Sequence, residues 1–255
     1  MTVGVGFGSD GRAVSDVVGY VLIFSLIALS VGVVTTVGFA TLEDRQDAER
    51  INNVERAFDI LADNVKDVYR DGAPSRATEM RLSGETLRYG EPVNVTIEDA
   101  DAPDTNVSTR VDPIVYEQGD TEIVYMNGAI LRTDGGSAVM LREPPFRTTS
   151  EQVVVPLIST RGEHRGAGIS TDGTLRITTR AARPTAIPSP GVSSADTVKI
   201  TVDSPRSDAW GRYFERQAAL ETTKNGEVLN DGKTLQVDTN RVSAPLAPIG
   251  VRFER

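Results

Sequence analysis

The sequence predicts an α+β protein: a long N-terminal helix, transmembrane and then amphipathic, followed by an antiparallel β-sandwich-like domain with one short helix. Three observations carry this. Residues Val17 to Ala40 contain no formal charge. The next stretch keeps apolar residues on a single helical stripe. From Arg76 to Arg255 the pattern changes to short β-rich runs divided by turn dipeptides.

The uncharged run reads VVGYVLIFSLIALSVGVVTTVGFA. At about 1.5 Å per residue it spans roughly 36 Å as a helix, enough to cross a hydrocarbon core with some tilt. A secretory signal peptide would have a shorter apolar region and a positive lead-in. Here only Asp10 and Arg12 precede the run, and the chain beyond Ala40 reads as more of the same helix. Within the run Ala28, Gly32, Thr36 and Ala40 recur every four residues, a spacing that lets two helices approach closely. Beyond it, Ile51, Val54, Phe58, Leu61, Val65 and Val68 follow the 3,4 spacing of a heptad seam on an otherwise polar helix. Asp71-Gly72 and then Pro74 supply the stop, so one helix from Val17 to Arg70 is expected.

In the β region Asn127-Gly128 is the strongest hairpin signal, between Glu122–Met126 and Ala129–Arg132. Asp172-Gly173, Asp231-Gly232 and Ser83-Gly84-Glu85 mark further turns. Val93–Ile97, Val153–Ile158, Val198–Val202 and Ile249–Phe253 are additional strands. Glu98 to Asn106 and the Pro-rich stretch 181–191 read as exposed loops. Ser207 to Gln217 is the short helix, with Ser207 or Asp208 as its cap and Trp210, Tyr213 and Phe214 on one face. That face is expected to plug the β core; the competing role is an aromatic patch for a sugar or a protein partner.

Composition narrows the chemistry. The chain has 255 residues, 27 Lys+Arg, 36 Asp+Glu and a net charge of -9. With no cysteine there is no disulfide framework, no thiolate zinc site and no thiol nucleophile. The acidic balance speaks against nucleic acid as a partner. Lys occurs only at 66, 199, 224 and 233, and acidic excess with so few lysines suits a surface kept soluble in concentrated salt. The single histidine, His164, lies in a glycine-flanked polar loop and reads as solvated. The stretch Glu98-Asp99-Ala100-Asp101 offers oxygens to a cation but reads as a solvated loop. No nucleophile elbow, phosphate loop or EF-hand pattern occurs, so no catalytic residue, metal site or cofactor is assigned and an enzyme is not expected. Asn94-Val95-Thr96 and Asn106-Val107-Ser108 are glycosylation sequons, at a frequency that chance would also give.

The segment Gly11-Arg12-Ala13-Val14-Ser15-Asp16-Val17-Val18-Gly19, leading directly into the apolar run, resembles the N-terminus of archaeal type IV pilin-like proteins, haloarchaeal ones especially. Those proteins carry a class III, prepilin-type leader that a prepilin peptidase removes before the apolar helix, which is retained. The resemblance implies a leader over residues 1–13, with Arg12 as its basic residue and a cut between Ala13 and Val14. It implies a helix over 14–72 and, with the β region, an extracellular domain over 76–255. Asp16 stands where that family usually has proline; there it could pair with a neighbouring subunit's free amine, or mark a chain that does not polymerise. The partners implied are the membrane, the chain itself or related pilins, the peptidase and the pilus assembly machinery. The function expected is a structural subunit or surface-anchored component of a pilus-like assembly. The alternative is a single-pass, membrane-anchored binding or adhesion module that does not polymerise.

Overall fold

The computed structural model describes residues 11–162, 168–182, 195–220 and 222–255, with the side chains of 11–16 and 37–44 also outside the description. One helix, α1, runs from Gly11 to Tyr69 and so starts six residues before the expected Val17. The chain divides into two compact units, Met1–Asn53 and Val54–Arg255.

In the second unit α1 ends as its sequence dictates. The Asp71 and Ala73 amides both donate to the Asp67 carbonyl, at 3.1 and 3.0 Å. Gly72 takes φ +74°, a left-handed conformation that favours glycine.

The largest sheet, of eight strands, is ordered β10-β16-β11-β1-β4-β5-β6-β7. Its strands are β1 (Ser75–Tyr89), β4 (Ile114–Gln118), β5 (Thr121–Met126), β6 (Ala129–Asp134), β7 (Ser137–Arg142), β10 (Leu157–Gly162), β11 (Ile169–Ala181) and β16 (Leu246–Glu254). A five-stranded sheet is ordered β13-β14-β12-β2-β3. It comprises β2 (Val93–Asp99), β3 (Asn106–Val111), β12 (Thr197–Asp203), β13 (Lys224–Leu229) and β14 (Thr234–Asp238). Three two-residue strands, β8 (Arg147–Thr148), β9 (Val153–Val154) and β15 (Val242–Ser243), make a small third sheet. Pairing is antiparallel except between β10 and β16 and between β9 and β15, which run parallel.

Side chains alternate across a strand, so each sheet presents two faces. Val115, Val124, Met126 and Leu131 of the large sheet share one core with Val95, Ile97, Val198, Ile200 and Leu235 of the five-stranded sheet. Helix α2 (Ser207–Ala218) contributes Trp210, Tyr213 and Phe214 to it. The opposite parity, Ile114, Tyr116, Ile123 and Tyr125, is equally buried. The last turns of α1 are tied to that same sheet. Asn64 Nδ2 donates to the Thr78 hydroxyl at 2.8 Å and to the Ala77 carbonyl at 3.2 Å. Arg132 of β6 reaches Glu55 at 3.1 Å, and Arg142 of β7 reaches Asp63 at 2.6 Å. Val54, Phe58, Leu61, Val65 and Val68 are all buried, so this part of the seam belongs to the unit's own core; Ile51 falls in the other unit.

Two expected hairpins are corrected. Ser83-Gly84-Glu85 and Asp172-Gly173 do not turn the chain. They lie within β1 and β11, which pair along most of their length, and the register shifts between Ser83 and Thr86. Gly84, at φ +99°, sits in that irregularity. The turn at Asn127-Gly128 is as expected, with φ of 48° and 86° joining β5 to β6. The Asp231-Gly232 turn joins β13 to β14. Val153–Ile158 is two strands, because Pro156 separates β9 from β10. The cap of α2 is also corrected: Arg206 occupies that position, with no side-chain cap bond. Asp208 instead accepts the Ala138 N–H of edge strand β7 at 3.1 Å.

Candidate membrane-spanning and assembly helix

Over Val17–Thr36 the side chains of α1 are exposed, and the contacts they make among the described residues are local ones along the helix, such as the stacked rings of Tyr20 and Phe24. Val17 to Thr36 is long and apolar enough to cross a membrane, and none of it is buried. Twenty residues rise about 30 Å, the thickness of a hydrocarbon core. Its polar side chains are satisfied locally. The Ser30 hydroxyl donates to the Ile27 carbonyl at 2.8 Å and the Thr36 hydroxyl to the Gly32 carbonyl at 2.9 Å. Neither hydroxyl would carry an unmet hydrogen bond into lipid.

Ala28, Gly32 and Thr36 border one shallow apolar groove with Leu29 and Val33. Among the described residues a Cβ added at Gly32 would meet no atom within 4 Å, so none of them requires glycine there. The fourth member of the stripe, Ala40, has its side chain outside the described residues. So do Arg12, Ala13, Val14 and Asp16, whose backbone lies in the first turns of α1.

The other singled-out residues fall elsewhere. Asn94 on β2 and Asn106 on β3 are both exposed, and their sequons meet across the two strands: Thr96 pairs with Ser108, their hydroxyls 2.9 Å apart. His164 lies outside the described residues. Of the acidic stretch, Glu98 faces Lys199 at 4.0 Å and Asp99 accepts the Asp101 N–H at 2.9 Å. Among the described residues no group of three or more acidic or histidine side chains is placed to hold a metal.

Trp210 is fully buried, its ring centroid 5.8 to 6.1 Å from those of Phe146, Tyr213 and Phe214, which leaves no surface platform. Close packing around α2 extends to its backbone. A Cβ on Gly232 would stand 2.8 Å from the Gly211 Cα, so helix and hairpin turn meet through two glycines. Sequence reasoning did not find the group formed by Lys66, Arg70, Tyr125 and Arg142, whose members come from α1, the residue after it, β5 and β7.

Fold and helix together define a β-sandwich unit joined to a helix that carries a membrane-length apolar segment. The chain belongs to the family described as "Family of unknown function (DUF7289)", whose profile matches residues 12–247. Neither a curated protein nor a solved structure matches it.

Proposed function

We propose that the chain is a pilin-like structural subunit of a type IV pilus-like assembly. The observation that carries this reading is the stretch Val17–Thr36: wholly unburied, apolar, and with its hydroxyls satisfied along the helix. Such a surface needs lipid or other helices around it, and the groove at Gly32 lets another backbone come close. In this reading the same surface serves twice, first as a single-pass anchor and then in a filament core with copies of the chain or related pilins. The β unit lies outside the cell. The family profile begins at Arg12, so the apolar helix is matched together with the β unit.

Processing is part of the proposal. A prepilin peptidase cuts between Ala13 and Val14 with Arg12 as the recognised basic residue, and the mature chain starts at Val14. Mass spectrometry of the N-terminal peptide from membranes tests it. A Val14 start that is lost in Arg12→Ala is the expected result; an intact Met1 start, or a start after Ala40, overturns the processing.

The second reading, an anchored binding module that does not polymerise, draws on a polar cleft of about 370 Å³ bordered by Arg147, Ser150, Gln152 and Thr222. That volume is within the range of small-molecule sites. Filament formation separates the two readings, because only the first requires it.

A further inference from the structure

At the end of α1 the second unit holds a cavity of about 200 Å³ whose chemistry is unusual for so acidic a chain. Lys66, Arg70 and Arg142 border it, with Tyr69, Tyr125 and Glu143. The charges are not all balanced internally. Glu143 is held by Arg216 at 2.9 Å, and Arg142 by Asp63 at 2.6 Å and Asp59 at 3.6 Å. Lys66 and Arg70 have no ion pair among the described residues, in a protein with only four lysines.

Beneath them lies Tyr125, fully buried, its hydroxyl without a hydrogen-bond partner among the described residues. The Gly128 N–H favours the ionised phenol, but it can only donate to the phenol oxygen and so cannot receive the phenol proton. An unpaired buried hydroxyl is destabilising, and an acceptor entering the cavity would relieve it. Burial pushes the Tyr125 pKa far up and raises that of Tyr69, so both phenols keep their protons and remain donors.

Cations at a helix C-terminus also offset the macrodipole, and that role alone would explain Lys66 and Arg70. It does not call for a third cation from β7 and a buried phenol at the same point. What those four groups share is a complement to one negatively charged acceptor. The volume is below the roughly 300–1,000 Å³ of sites that enclose drug-sized ligands, so it fits a single anionic group and the few atoms that bear it.

We propose that this cavity is an oxyanion-binding site, in which the Tyr125 hydroxyl donates to a carboxylate, sulfate or phosphate group that Lys66, Arg70 and Arg142 hold by charge. The site is independent of the assembly reading, since it lies entirely within the second unit.

The full chain in detergent micelles, labelled at the tyrosine ring carbons, is titrated with sodium sulfate, sodium phosphate or sodium glucuronate. Ionic strength is held constant with sodium chloride. Saturable shifts of the Tyr125 and Tyr69 resonances are expected with at least one of the three, and the one that saturates identifies the group. Lys66→Gln combined with Arg70→Gln should weaken that affinity about tenfold or more, as loss of charge-assisted contacts does. Tyr125→Phe, read at Tyr69, should weaken it about threefold to tenfold without lowering the melting temperature. Lys233→Gln, a remote cation paired with Asp203, should leave it unchanged. No saturable shift with any of the three anions overturns the proposal. So does an affinity that the double variant leaves within about twofold of wild type.

Discussion

Phe58→Ala measures how much of the α1 seam belongs to the β unit. Phe58 is fully buried, whereas Ile60, two residues on and near the opposite side of the same helix, is 56% exposed. Truncating a buried phenylalanine removes its transfer free energy and leaves a cavity, together about 3–5 kcal/mol. For a unit of 150–250 residues each kcal/mol moves the melting temperature by roughly 2–4 °C, so the drop should be about 6–20 °C. Ile60→Ala removes an exposed side chain and should change stability by no more than about 0.5 kcal/mol, or roughly 2 °C. The assay is thermal unfolding of the full chain in detergent, followed by fluorescence of Trp210, the single tryptophan, which the fold buries completely. Equal shifts for the two variants, or a Phe58→Ala shift of less than about 2 °C, would refute the assignment of this seam to the unit's own core.

Other outcomes follow from the same structure. Gly32→Leu should leave thermal unfolding unchanged, since a Cβ there meets nothing within 4 Å, yet reduce crosslinking between chains in membranes by blocking close helix approach. Wild-type crosslinking in that variant would remove the packing role of Gly32. Gly128→Ala should destabilise by about 2 kcal/mol or more, because φ is +86° and the new Cβ would stand 2.5 Å from the Pro145 Cδ; calorimetry reads it. Asp238 is held below the usual carboxylate range first by the Thr197 hydroxyl and then by the Asn225 amide. Its contribution to stability is present above the ordinary carboxylate pKa and is lost as pH falls through the lower folded value. Thr197→Val should therefore raise the Asp238 pKa in an NMR titration and flatten the acid limb of the stability curve.

What the sequence disclosed depended on how local the cause was. The apolar run, the seam from Val54 to Val68 and the aromatic face of α2 are periodicities within one element, and the structure has them where the residues require. Asn127-Gly128 turned the chain because two left-handed residues between apolar runs leave few other conformations. Ser83-Gly84-Glu85 and Asp172-Gly173 carry similar turn chemistry, but β1 and β11 lie opposite one another, and a long antiparallel ladder with one irregularity absorbed both. The two-residue strands β8, β9 and β15 have no period to detect. Lys66 and Arg142 meet only because α1 lies against a sheet whose order places β5, β6 and β7 together. No spacing rule along the chain encodes that meeting.

Assembly into filaments is tested by electron microscopy of sheared surface material. Cells producing the chain with a small tag on the exposed β6–β7 turn, Gly135-Gly136, are sheared, and the released fraction is examined by immunogold labelling beside the membrane fraction. Thin filaments labelled along their length are expected, lost in Gly32→Leu and in Arg12→Ala. Tagged protein found only in membranes, with no labelled filament in the wild type, would contradict it.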